Sequence, residues 1–412
     1  MQFKFNTIEE AISDIQNGKM IIVVDDEDRE NEGDIVIPAS TCTPDQLNFC
    51  ATFGKGLVCI AIDHNTAIRL DLRKQRSNKK DPHHTAFLDA IDAVNEHGIS
   101  TGISAFDRSI TAQLITNPDS KPADFIKPGH LFPVLAKKAG LKERKGHTEA
   151  AVDLCKLANL YPAAIICEIM ENDGTMMRRN GLKNFAATHQ LKMISINQLV
   201  EFIQTERNTP IENFLPVCSL ISASTLPTEF GEFKIEVFKN TLTGMEHSVL
   251  STQNNMDATP LIRIHSECLT GDAFHSLKCD CGKQLTDALA AIAKRGHGYL
   301  IHLKGHEGRG IGIGNKISTY ELQKKGLNTY EANEKMGFQA DARNYQDAID
   351  ILKHYQIKAG ELITNNPLKL EAVKKAGIAL KQYVIPSKYN EYNTLYLETK
   401  KLFAQHSIIT EK

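Results

Sequence analysis

From Thr205 to Asn213 the chain runs TERNTPIEN, a stretch near its middle with little hydrophobic content and one proline. Such a segment reads as a linker or domain boundary, and it divides 412 residues into near-equal halves. A single hydrophobic core stops growing at roughly 300 residues. The sequence therefore predicts two domains, 1–207 and 208–412, and the alternation of helical and strand patterns on both sides predicts α+β, as two mixed α/β-layered domains.

Local signals place the elements. Thr7-x-x-Glu10 is a capping box, Ile8, Ala11, Ile12 and Ile15 share a helical face, and Gly18 stops that helix. Met20–Val24 reads as a buried strand. Thr43-Pro44-Asp45-Gln46 starts a second capped helix, and after Gly54 and Gly56 the run Leu57–Ile62 is β-rich. A helix over His147–Asn159, a strand over Ala163–Ile169 and a helix over Asn197–Gln204 follow. In the second half strands are expected at Glu232–Phe238, Leu261–His265, Tyr299–Leu303 and Glu361–Thr364. Helices are expected at Gly282–Arg295, Ile317–Lys325 and Tyr345–Tyr355.

Lys plus Arg is 48 against 50 for Asp plus Glu, a net charge of −2. No global positive field gathers nucleic acid or an anionic membrane, so any anion is held locally. The longest apolar runs fall far short of the ~20 residues of a membrane span. The N-terminus reaches Glu9 and Glu10 before an apolar signal region forms, so no signal peptide is expected and the chain reads as cytoplasmic. Nine cysteines, an odd count, suit reduced thiols and metal ligation better than a disulfide framework.

Cys268, Cys279 and Cys281 lie in RIHSECLTGDAFHSLKCDCGKQL, spaced C-x10-C-x-C before an expected helix. Three thiolates suit a catalytic zinc, which leaves its fourth position to water. A structural zinc takes four ligands, and His265 or His275 is near enough in sequence to close the site. On spacing alone the two readings weigh equally. Downstream, His306-Glu307-Gly308-Arg309-Gly310-Ile311-Gly312-Ile313-Gly314 joins an expected strand to an expected helix, a setting that suits amides cradling a phosphate with Arg309 to neutralise it. The same glycines also serve a tight turn.

From Asp25 to Asp34 seven of ten residues are acidic, offset by Arg29 alone. Such a run is usually a solvated surface. This one follows a strand directly, where functional loops lie, and concentrated carboxylates invite a hard divalent cation. Lys127-Pro128-Gly129-His130 and Arg144-Lys145-Gly146-His147-Thr148-Glu149 add two histidines. The second stands at a helix start beside Arg and Thr, which also suits phosphate.

RIHSECLTGD, CDCG, HEGRGIG, Asp341-Ala342-Arg343 and LITNNPLK, in this order, resemble GTP cyclohydrolase II over nearly the whole second half. That family opens the imidazole ring of GTP, giving 2,5-diamino-6-(5-phosphoribosylamino)pyrimidin-4(3H)-one, formate and pyrophosphate. The resemblance implies zinc on Cys268, Cys279 and Cys281, with magnesium on GTP. It implies GTP contacts from Arg263, Ile264, His265, Ser266, Glu267, Gln284, Glu307, Gly308, Arg309, Thr329, Thr364 and Lys369. Catalytic roles fall to Tyr320, Asp341 and Arg343. A guanidinium is a poor nucleophile, so Arg343 reads as a charge clamp, with the family's nucleophile role as the alternative. Lys304-Gly305-His306 departs from the commoner Arg-Gln before Glu-Gly-Arg.

DDEDRENEGD, STGISAFDR, KPGHLFP, RKGHTEAAVDL and CEIMENDGTM resemble 3,4-dihydroxy-2-butanone 4-phosphate synthase over nearly all of the first half. That family converts ribulose 5-phosphate to 3,4-dihydroxy-2-butanone 4-phosphate and formate. The resemblance implies Mg²⁺ (or Mn²⁺) on Glu30 and His147. Substrate contacts fall on Arg29, Glu30, Asp34, Arg144, Lys145, Gly146, His147, Thr148 and Glu168, and catalytic roles on His130 and Glu168. Cys59 and Thr101 match positions near the family's pocket. A homodimer with sites at the subunit interface is implied too. The basic stretch Arg73–Lys80, before Asp81-Pro82-His83, departs from the family's pattern.

Together the halves predict a bifunctional riboflavin-biosynthesis enzyme, lyase and hydrolase. The alternative is one active half beside a regulatory GTP-binding or zinc-structural module.

Overall fold

The computed structural model describes residues 5–75, 85–205, 215–387 and 389–404. Most of TERNTPIEN lies outside them, as do the basic stretch beyond Gln75 and Asp81-Pro82-His83. The chain divides into two compact units, Met1–Leu215 and Pro216–Lys412. The division falls later than the expected cut at 207, and the amide of Leu215 donates to the Asn65 side chain at 2.8 Å.

Among the described residues each unit is built on one seven-stranded mixed sheet. In the first unit the strands are β1 (Ile21–Val24), β2 (Gly33–Pro38), β3 (Cys59–Ile62), β4 (Ile91–Ala93), β5 (Phe125–Leu135), β6 (Ala163–Glu168) and β7 (Lys192–Ser195). Their order is β4-β5-β3-β6-β2-β1-β7, with β1–β7 and β3–β5 parallel and the other neighbours antiparallel. The capping box at Thr7 and Glu10 starts a helix at Ile8–Gln16. With helices His147–Leu157 and Ile196–Thr205 it contributes to one core, where Ile15, Leu154 and Leu199 meet Val23, Val36 and Ala164.

The second sheet holds β8 (Cys218–Thr228), β9 (Gly231–Asn240), β10 (Glu246–Gln253), β11 (Leu261–Ser266), β12 (His297–Leu303), β13 (Ala359–Ile363) and β14 (Ala379–Tyr383). Its order is β14-β13-β11-β12-β10-β9-β8. Two cores cover its faces. Ile262, Ile264 and Ile301 pack with the helix Gln346–His354, and Leu261, Leu300 and Phe233 pack with the helix Cys281–Arg295. Alternate residues of β11 thus enter opposite cores, which leaves the end of the strand to position polar groups.

Candidate active sites

In the first unit Val24 pairs with Gly33, so residues 25–32 close a hairpin between β1 and β2. Six acidic residues there repel one another, and the loop sorts them. Asp26, Glu27 and Asp28 are exposed, as a solvated run would be. Asp25 is buried and is the loop's anchor: its carboxylate accepts the amides of Glu30 (3.1 Å) and Glu32 (2.8 Å) and the Arg29 guanidinium (2.8 Å). Arg29 also donates to Glu30 Oε2 at 2.8 Å. Arg178, a residue sequence reasoning passed over, donates to the carbonyls of Glu30 and Asn31, both at 2.7 Å.

His147 opens the helix His147–Leu157 and is buried against this loop. Its Nδ1 lies 3.7 Å from Glu30 Oε2 and 3.9 Å from Asp34 Oδ1. Ligating atoms of Asp25, Glu30 and His147 lie within 4.8 Å of one another. His147 Nε2 and Asp34 Oδ1 are both buried without a hydrogen-bond partner, which costs free energy unless something fills the gap. Burial opposes a charge on His147, but Asp34, Glu30 and Asp25 outweigh it and raise its pKa to about 9. The contact with His147 holds Glu30 down at about 2, and burial pushes Asp34 up to about 7. Carboxylate oxygens and imidazole around orphaned polar atoms form a donor set that fits a hard divalent cation.

Asp34 on β2 pairs with Glu168 on β6, putting the two carboxylates at one end of the sheet. Glu168 Oε2 accepts the Leu57 amide at 2.9 Å. A Cβ on Gly56 would fall 2.5 Å from the Glu168 carbonyl, so the approach demands glycine. Phe132 of β5 pairs with Cys59, which pairs with Ile166, so His130 and Glu168 both lie toward that same end. His130 is separated from Glu168 by the intervening strand β3 and is held by Asp92. Arg144 is fixed by the buried Glu149 at 2.5 Å. A Cβ on Gly146 would meet the Arg144 guanidinium at 2.2 Å. Thr148 and Cys59 are buried, whereas Lys145 and Thr101 are exposed.

In the second unit the sulfurs of Cys268, Cys279 and Cys281 converge within 4.8 Å, with Cys268 and Cys279 at 3.7 Å. Gly271 makes this possible: a Cβ there would fall 2.9 Å from the Cys279 sulfur. Neither histidine that the spacing allowed as an alternative closing ligand belongs to this group. His265 Nε2 turns to Asp272 at 3.0 Å, and His302 joins that pair instead. His275 follows the helix Leu269–Asp272 in a left-handed turn, φ 52°. Lys316, unmarked in the sequence reading, places its ammonium 3.1 Å from Cys268 Sγ. Hydrogen bonds from the Cys279 and Cys281 thiols, with the Lys316 charge, pull the Cys268 thiol well down. Three convergent sulfur donors fit zinc, whose binding displaces the thiol protons.

The same cavity receives most of the expected GTP residues. Arg263 donates to Gln284 Oε1 at 2.7 Å and to the Ile363 carbonyl at 3.0 Å. Lys369 donates to the Ile264 carbonyl at 2.7 Å, while the Ile264 side chain faces the core. Glu267 Oε1 accepts the Gly305 amide at 2.7 Å. Glu307 is turned to Lys316 (2.5 Å) and to the Leu269 amide (2.6 Å), so its carboxylate braces the cysteine loop. After Gly308, φ 59°, Arg309 stacks on Tyr330 with its guanidinium carbon 3.6 Å from the ring centre. Tyr320 lies 3.3 Å from Thr270 Oγ1, and Thr329 and Thr364 line the wall.

Asp341 and Arg343 form a bidentate pair, with Nε at 2.9 Å and Nη2 at 2.5 Å. Burial opposes the Arg343 charge, but the Asp341 carboxylate outweighs it and raises its pKa. The variant residue His306 accepts from the Ser266 hydroxyl (3.0 Å) and donates to the Asn344 carbonyl (3.0 Å). It thereby ties the end of β11 to the Asp341–Arg343 loop.

The family model for 3,4-dihydroxy-2-butanone 4-phosphate synthase matches residues 9–202, and that for GTP cyclohydrolase II matches 219–385. The riboflavin biosynthesis protein RibBA of Aquifex aeolicus is 48% identical over 402 residues, 97% of either chain. That of Bacillus subtilis is 45% identical over 399 residues, 96% of this chain and 97% of its own. A solved 3,4-dihydroxy-2-butanone 4-phosphate synthase in complex with two magnesium ions is 34% identical, covering 48% of this chain and 97% of its own, with a TM-score of 0.46.

Proposed function

The chain belongs to the RibBA family of riboflavin biosynthesis proteins, and from that membership we propose which residues carry its two reactions. The enzyme is bifunctional, a 3,4-dihydroxy-2-butanone 4-phosphate synthase joined to a GTP cyclohydrolase II. The observation that carries the assignment is that each unit holds its own cluster of donors that suits a metal, Asp25, Glu30 and His147 in one and three cysteine sulfurs in the other.

In the first unit Glu30 and His147 hold Mg²⁺ or Mn²⁺, with Asp25 anchoring the loop. The cation supplies charge that stabilises negative oxygens developing on ribulose 5-phosphate. Arg144 through Thr148 receive the phosphate end at the helix start, Arg29 and Asp34 contact the sugar, and His130 and Glu168 move protons. Ile103, Phe106 and Ile126 are large exposed hydrophobics, surface of the kind a homodimer buries. In the second unit Cys268, Cys279 and Cys281 hold zinc, which supplies a Lewis acid that makes water nucleophilic at neutral pH. Arg263, Arg309 and Lys369 offer cationic groups to GTP with its magnesium, and Gln284 contributes polar contacts. Asp341 is held ionised by Arg343 and accepts a proton. Arg343 stays cationic and clamps charge, and Tyr320 lies at the cysteine end of the cavity. The two activities reside in 1–207 and 208–412.

Among the described residues no helix is long and apolar enough to cross a membrane. Nine free cysteines support a reducing, cytoplasmic setting. Formate release measured separately with ribulose 5-phosphate and with GTP tests the reading. Failure with either substrate removes that half of it.

A further inference from the structure

We infer that Lys400, on a helix beyond the stretch that the GTP cyclohydrolase II family model matches, is a positioning residue for GTP: it holds Asp280, and through Asp280 the amide of Gln284. The inference rests on the reading above, in which Gln284 contacts GTP.

The family match ends at residue 385, and the helix Thr394–Ala404 follows it. Two asparagines set the turn into that helix. Asn390 Oδ1 accepts the amides of Tyr392 (2.8 Å) and Asn393 (2.9 Å), and Asn393 Oδ1 accepts the Asn390 amide at 2.8 Å. Asn393, Tyr396, Leu397 and Lys400 then fall at i, i+3, i+4 and i+7, one face of a helix. Asn393 and Leu397 are buried, whereas Glu398, Lys401 and Leu402 are exposed. The inward face brings Tyr396 and Lys400 to the wall of the cavity that receives Arg263, Gln284 and Lys369.

Lys400 meets one carboxylate there. Its ammonium lies 2.7 Å from Asp280 Oδ1 and 4.4 Å from the centre of the Tyr396 ring, so an anion and an aromatic face both hold it. Asp280 stands between Cys279 and Cys281 and is the N-cap of the helix Cys281–Arg295. An N-cap aspartate ordinarily turns its carboxylate to the first amides of its own helix. This one makes no such bond. Its Oδ1 goes to Lys400, 120 residues on, and its Oδ2 accepts Gln284 Nε2 at 2.5 Å and the Ser387 hydroxyl at 3.4 Å. The Asp280 side chain is 4% exposed and that of Lys400 12%. A carboxylate so buried needs a cation against it, and Lys400 supplies one.

The consequence falls on Gln284. An ionised carboxylate only accepts, so the Gln284 NH₂ faces Asp280 and its Oε1 faces the Arg263 guanidinium, which donates at 2.7 Å. Lys400, Asp280 and Arg263 thus fix one orientation of one amide. The NH₂ proton not given to Asp280 is a donor for an acceptor atom of GTP. Without Lys400 the carboxylate takes a proton or turns away, and the Gln284 amide loses the partner that orients it.

Lys400→Met in the full chain should raise KM for GTP about 10–100-fold, the worth of a hydrogen bond to a charged group. Formate release at saturating GTP should stay within about threefold of wild type, with zinc content and ribulose 5-phosphate turnover unchanged. Lys400→Arg keeps the cation and should bring KM back to within about threefold of wild type. Because Lys400 acts through Asp280, Lys400→Met combined with Asp280→Asn should raise KM no further than the worse single change. Amide hydrogen exchange of the wild-type chain needs no variant to fold: a bound non-hydrolysable GTP analogue should slow exchange across 394–404. A KM within about threefold of wild type in Lys400→Met, a Lys400→Arg no better than Lys400→Met, a double variant that loses the product of the singles, or unchanged exchange with the analogue bound overturns the inference. A wild-type KM in Gln284→Ala instead removes the GTP contact given to Gln284 itself.

Discussion

The ammonium of Lys316 bridges the sulfur of Cys268, at 3.1 Å, to the carboxylate of Glu307, at 2.5 Å. One cation thus ties one of the three convergent thiols to the Gly-rich loop that follows β12. Lys316→Met leaves a thiolate and a carboxylate facing each other in a buried site. Zinc affinity, followed by chelator competition, should fall about 10–100-fold, the usual effect of removing a group that orients a ligand. GTP turnover should fall with it, and the ribulose 5-phosphate reaction should not.

Cys279→Ser should strip close to one zinc per chain and stop formate release from GTP, while the sugar reaction with added Mg²⁺ persists. The chain should remain folded by thermal melting, because three ligands with an open position serve chemistry before structure. A folded variant with full zinc and GTP activity would refute the cysteine assignment, and global unfolding would favour a structural metal.

His147→Ala should abolish turnover of ribulose 5-phosphate and leave GTP hydrolysis near wild type. Residues 1–207 expressed alone should retain the sugar reaction. Loss of both activities from the single change would sink the model of independent sites.

Burial holds His306 down at about 4, against an ordinary value of 6.5. Between those values the unfolded chain binds the extra proton, so the stability from a neutral His306 is complete above pH 6.5 and is lost as pH falls toward 4. The melting temperature of the second unit should therefore drop over that window. His306→Gln should flatten part of the drop, the remainder belonging to His265, also held at about 4 by burial. Glutamine accepts and donates from neighbouring atoms as the imidazole does here, so GTP turnover should survive it. His306→Phe, which does neither, should lose most turnover.

How much of this was legible in the sequence depends on where the signal resided. Thr7 and Glu10 announced their helix because a capping box is local chemistry, and the β11 and β12 strands were apolar enough to read. β5 was missed. Its sequence FIKPGHLFPVL carries two prolines, which ordinarily disqualify a strand. Pro128 lies outside the ladder with β4, where its missing N–H breaks no rung, and the Pro133 carbonyl accepts from Leu88 at 2.9 Å. β8 escaped because it is largely exposed, and CSLISASTLPT shows no alternation. The site's motif residues were visible, but their partners were not. Arg178 stands 148 residues from Glu30, Asp92 38 from His130 and Lys316 48 from Cys268. Such pairings exist only after the sheets have formed. Spacing left a closing histidine open as an alternative for the cysteine site, and His265 turns instead to Asp272, seven residues on.

β4 pairs Ile91 with Leu131 but Asp92 with Ile126, and this broken rung governs how the loop 127–130 tolerates change in length. Strand pairing resumes on either side of residues 127–130, so the sheet does not count them. One residue added or removed there leaves every rung in step and every core side chain on its own face. What counts them is the span from Gly129, pressed on the β4 backbone, to the Asp92 carboxylate that grips His130. A length change would therefore yield a well-folded chain with a displaced His130 imidazole, a lesion invisible to melting curves and, on the role proposed for His130, plain to kinetics.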